Sequence, residues 1–145
     1  MITFKTFPTL LCMLACLASL PLTAVDAIAA IAAPAAPEPV VTPLMLKELA
    51  NIPGKEVLMI TVDYAPGGAD PVHRHDAHGF IYVLEGSIVM GVKGGKEVTL
   101  VPGQTFYEGP ADIHTVGRNA STTKPAKFLV FLLKDKGVAA VLPAN

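Results

Sequence analysis

The hydrophobic pattern divides the chain into an apolar front and a long run of short, turn-bounded segments. Leu10–Leu20 is almost unbroken apolar sequence, and Pro21 follows it. Beyond residue 44, stretches rich in β-formers alternate with Gly, Pro, Asn and Asp. Lys55–Tyr64 ends at Pro66-Gly67-Gly68. Phe80–Leu84 and Ser87–Val92, joined through Glu85-Gly86, predict a hairpin. Lys93–Lys96 makes the next tight turn, and Glu97–Val101 the next strand. Gln104–Tyr107 and His114–Val116 are short and extended. Phe128–Leu133 is continuously apolar, which predicts a strand buried on both faces. No stretch sustains a 3.6-residue period, and no internal repeat is visible. Many short strands at near-even spacing predict an all-β sandwich or a single small β-barrel.

The apolar front has signal-peptide form: a weakly basic start at Lys5, an apolar core, and small residues at Val25-Asp26-Ala27. It is short for a membrane span. Residues 1–27 are therefore expected as a signal peptide and residues 28–43, with Pro34, Pro37, Pro39 and Pro43, as an Ala/Pro-rich linker. Residues 44–145 are expected as the folded domain. The mature protein is expected to be secreted or periplasmic and free of the membrane, with lipidation at Cys16 as the alternative. Both cysteines, Cys12 and Cys16, precede residue 27, so the mature domain has no disulfide and no thiolate. The formal net charge is −1 and there is no basic stripe, which argues against a nucleic-acid partner. There is no phosphate-binding glycine loop and no Ser-His-Asp arrangement.

Four histidines carry the candidate chemistry: His73, His75, His78 and His114. In an extended segment His73 and His75 point the same way. Neutral imidazoles converging inside a barrel would bind a metal. His114 must arrive from another strand. Arg74 is expected to point outward, and Asp70 and Asp76 are most simply turn residues. Tyr82, Met90 and Phe106 are candidates for a pocket wall or for plain core packing. Asn119-Ala120-Ser121 matches a glycosylation sequon, taken as chance.

The frame around these histidines resembles the cupin family, small β-barrels (double-stranded β-helix or jelly roll) with metal sites inside. Gly67, His73, His75 and Gly86 fall in register with the first family motif; Gly103 and His114 fall in register with the second. The resemblance covers roughly Leu44 to Leu133. It implies a divalent metal (Fe, Mn, Zn, Ni or Cu; imidazole suits several) held by His73, His75 and His114. The departures bear on function. Gly79 stands where the family has its glutamate ligand. Gly109 and Ala111 stand at the proline and glycine positions of the second motif, and Arg118, with Asn119 beside it, at the asparagine. Water, His78 or Glu108 could fill the place of the missing carboxylate; an open three-histidine site is the favoured expectation. On an unbroken strand His78 would face away from His73 and His75. Glu108 and His78 are also the acid/base candidates. The implied function is either a dioxygenase-type oxidoreductase of small molecules or a non-catalytic module that binds or senses a metal or small molecule. A homodimer through an open edge strand is a further expectation.

Overall fold

A computed structural model of the chain describes residues 35–144. The expected signal peptide and the linker before residue 35 lie outside the described residues. Ten strands follow in order: β1 (Val40–Glu48), β2 (Lys55–Tyr64), β3 (His73–Arg74), β4 (Ala77–Glu85), β5 (Ile88–Val92), β6 (Val98–Leu100), β7 (Thr105–Glu108), β8 (Ile113–Asn119), β9 (Ala126–Asp135) and β10 (Leu142–Pro143). The described residues contain no helix.

The strands form two five-stranded antiparallel sheets, ordered β1-β2-β9-β4-β7 and β10-β3-β8-β5-β6. Most lateral neighbours are distant in sequence, as in the expected double-stranded β-helix. β4 shows how sequence becomes layer: Ala77, Gly79, Ile81 and Val83 are buried, and His78, Phe80, Tyr82 and Leu84 are exposed. A period of two places one set in the core and the other outside. Ile60, Val62, Ile88, Phe128 and Leu132 belong to the same buried cluster. Each such side chain stabilises by about 1.5–3 kcal/mol on full burial.

Gly86 closes the turn between β4 and β5 with φ at 68°, and a Cβ there would meet the Pro125 carbonyl oxygen at 2.4 Å. Only glycine fits both demands.

Two expectations are corrected. β9 is not buried on both faces; its burial alternates, because no second layer covers the outer side of its sheet among the described residues. The folded segment also begins earlier than Leu44. β1 starts at Val40, inside the stretch expected as linker, and pairs with β2 over most of its length. All nine of its residues are exposed. Pro43 is tolerated because β1 is an edge strand, with a register shift directly after the proline.

Candidate metal centre

β3 carries His73 into the barrel and turns Arg74 outward to pair with Asp76. His75 follows with the same inward parity. His114, on β8, is the direct cross-strand partner of His73. The three rings therefore meet: His73 Nε2 lies 3.1 Å from His75 Nε2 and 3.4 Å from His114 Nδ1. Such spacings suit nitrogens sharing one ion with bonds of about 2.0–2.1 Å.

The hydrogen bonds settle the tautomers of two rings. His73 Nδ1 donates to the Pro71 carbonyl at 2.8 Å, and His75 Nδ1 donates to the Ala140 carbonyl. A carbonyl has no proton to give, so each Nδ1 carries the hydrogen and each neutral Nε2 keeps a free lone pair. Two lone pairs facing each other call for a cation between them. His114 Nε2 is buried without a hydrogen-bond partner. It is the other nitrogen of that ring, Nδ1, that faces His73, so the fit to a cation rests on the two facing Nε2 lone pairs. The donor set thus fits a divalent metal.

Two carboxylates face the same centre. Glu108 is 4% exposed. Its Oε2 lies 3.4 Å from His75 Nε2, and its Oε1 lies 3.5 Å from His114 Nδ1. Asp70 accepts a 2.5 Å hydrogen bond from the buried Tyr64 hydroxyl. Ligand atoms of Asp70, His73 and His114 lie within 4.8 Å of one another, a cluster able to hold a metal ion. Gly117 keeps this corner open, since a Cβ there would meet Asp70 Oδ2 at 2.7 Å and His114 Cε1 at 2.9 Å.

Burial dominates the electrostatics. It holds His75 below the usual imidazole range; with the nearby His73 and His75 rings, it holds His114 down at about 4. Both therefore stay neutral, as ligation requires. Burial, with the Asp70 and Asp112 charges, raises Glu108 to about 7. Burial also raises Asp70, and burial with the Asp70 charge raises the Tyr64 phenol.

His78 does not join the centre. The parity of β4 is unbroken, so the ring lies on the outer surface, where Nδ1 is 2.7 Å from the Tyr107 hydroxyl. It is absent from the lining of the cavity that His73, His75 and His114 share. Tyr82 is exposed and outside the lining of that cavity, Phe106 packs against the core, and Met90 is buried in the cavity's wall. Asp70 is no mere turn residue, and Tyr64 behind it was missed. The available signal was Tyr64's inward parity with Ile60 and Val62, because a buried phenol needs a hydrogen-bond partner.

The centre opens on a cavity of about 420 Å³. Its walls include Leu58, Ile81, Met90, Phe128, Val130 and Leu132, and its charged lining is acidic: Glu38, Asp70 and Glu108.

The cupin domain family model matches residues 60–132, half of the chain, and spans β2 to β9. This chain belongs to the cupin family. No curated protein matches it. Among solved structures, this cupin is similar to an oxalate oxidase in complex with the substrate analogue glycolate (25% identity, TM-score 0.57, 73% of this chain and 55% of that one). It is also similar to a DMSP lyase from Ruegeria pomeroyi (24% identity, TM-score 0.54, 61% and 45%). A cupin domain from Bordetella pertussis matches at 19% identity and TM-score 0.56, over 70% of this cupin and 99% of that chain. This cupin spans about half the length of the oxalate oxidase and the lyase.

Proposed function

We propose that this cupin is exported, binds a divalent cation through His73, His75 and His114, and oxidises a small, largely apolar oxygenated compound in a dioxygenase-type reaction. The observation that carries this is the pair of unprotonated Nε2 atoms of His73 and His75, 3.1 Å apart on residues that line a largely apolar cavity. The carbonyls of Pro71 and Ala140 keep both rings in the tautomer that can ligate. A bound cation would supply Lewis acidity toward a substrate oxygen and, if redox-active, a meeting point for substrate and dioxygen.

The cavity walls favour the substrate class. No Lys or Arg lines the cavity, whereas three carboxylates do. A short dicarboxylate would have only the cation to offset its charge. A neutral β-diketone or phenolic compound buries apolar surface and presents oxygen to the centre. The apolar run and small-residue site near Ala27 support export.

A non-catalytic binding or sensing module is the second reading. It is favoured by the crowding of Asp70 and Glu108 around the three rings, which leaves less room for a substrate. Oxygen uptake with β-diketones, phenolics and short carboxylates separates the two, using metal-loaded protein purified without an affinity tag. Uptake that is lost in His73→Ala is the expected result. Thermal stabilisation by a compound without uptake would instead support the module.

A further inference from the structure

We propose that Glu108 supplies the carboxylate donor of this centre, from the strand beside the inward position that Gly79 leaves bare. The inference rests on the metal-binding reading of the three histidines and deepens it. The family pattern places a glutamate where this chain has Gly79. In the β4–β7 ladder, Gly79 is the register partner of Glu108. Directly opposed residues of an antiparallel pair project to the same face. Both positions are buried, while the residues beside them, His78, Phe80 and Tyr107, are exposed. A Cβ at residue 79 would lie 3.6 Å from the Glu108 Cβ and 3.5 Å from Leu132 Cδ2. The side chain missing from β4 thus leaves free the space beside Glu108. The acid comes from one strand further along the same inner wall.

The contacts of Glu108 are those of a donor. Its two oxygens divide between His75 Nε2 and His114 Nδ1, at 3.4 and 3.5 Å. These distances match the spacing within the histidine cluster itself. His75 Nε2 carries no proton, so the Glu108 oxygen facing it receives no hydrogen bond there. A cation between them satisfies both. Among the described residues no Lys or Arg pairs with Glu108. Asp70, the competing carboxylate, is already engaged by the Tyr64 hydroxyl at 2.5 Å. That bond occupies one oxygen and leaves the other free, so Asp70, which clusters with His73 and His114, is the rival donor that the test must separate from Glu108.

The test is titration of the metal-free full chain with Co(II), reading both the dissociation constant and the visible spectrum of the bound ion. Glu108→Gln keeps the shape and removes the charge. Its Co(II) affinity is expected to fall by about 100-fold or more, beyond the usual cost of losing an outer partner, with an altered spectrum. Asp70→Asn is the competing arm and is expected to lower Co(II) affinity by less than Glu108→Gln does. The double variant Gly79→Glu/Glu108→Gly moves the acid back to β4 and is expected to recover affinity to within about tenfold of wild type. Glu108→Gln binding Co(II) as tightly as wild type with an unchanged spectrum would overturn the assignment. So would loss confined to Asp70→Asn. If Glu108→Gln does not fold, Glu108→Ala is read the same way, and a folded Glu108→Ala with wild-type Co(II) affinity and spectrum overturns the assignment. Wild-type protein that takes up no Co(II) or Mn(II) would overturn the metal reading itself, a distinguishable outcome.

Discussion

Imidazoles and carboxylates buried together inside the barrel give the metal-free protein opposing responses to pH. His114 is held at about 4, below its ordinary 6.5. Its contribution to stability is present above pH 6.5 and is lost as pH falls toward 4. His75 acts in the same direction. Glu108 is raised from 4.5 to about 7, so its contribution is present below pH 4.5 and is lost as pH rises through 7. Glu108→Gln removes the second trend and leaves the first. Urea unfolding of metal-free protein should show this variant more stable than wild type at pH 8, by up to about 3 kcal/mol, with stability rising from pH 4 to 6.5. Equal stability at pH 8 would show that Glu108 is not buried as a carboxylate. At this scale the sequence was partly legible. His73 and His75 follow from strand parity, and His114 from its place in the family frame. Asp70 and Glu108 were harder to assign, because cross-strand register and the Tyr64 contact depend on tertiary packing that local pattern does not encode.

Among the elements, β8 best explains a departure from the family pattern. Its ladder with β5 pairs Gly91 with Val116 but Val92 with His114, leaving Thr115 as a bulged residue. The extra residue resets strand parity, so His114, Gly117 and Asn119 are buried while Arg118 is exposed. Asn119, one place beyond the family's asparagine position, thereby faces inward. Its amide donates to the carbonyls of Ala65 at 3.0 Å and Lys124 at 2.8 Å, and its Oδ1 accepts from Ser121 N–H at 2.8 Å. This ties the end of β2 to the loop before β9. Asn119→Ala should lower stability by about 2–4 kcal/mol, since it leaves buried backbone groups unpaired. A change in melting temperature of under a degree would refute that role. Burial of this side chain also agrees with taking the sequon as chance. β2 spans the predicted Lys55–Tyr64 without change, and the strands from β4 to β9 fall close to their expected places. β1 escaped because edge strands exposed on both faces lack hydrophobic alternation, and Pro43 resembles linker composition.

At the scale of the described domain, two sheets flank a largely apolar cavity that His73, His75 and His114 all line. The fold class was legible because strand period, turn residues and motif spacing all agree on a barrel. The cavity's contents were not, because wall identity depends on which strands become neighbours. Export rests on residues 1–27 and stands as a proposal. The central claim is that the histidine cluster is a metal site. The most direct test is metal analysis of the full chain purified without an affinity tag, alongside His73→Ala, with thermal stability followed as Fe, Mn, Zn, Ni or Cu is added. The account predicts close to one divalent ion per chain, a higher melting temperature on loading, and loss of both in His73→Ala. Wild-type protein that carries no metal and is not stabilised by any of the five would contradict it.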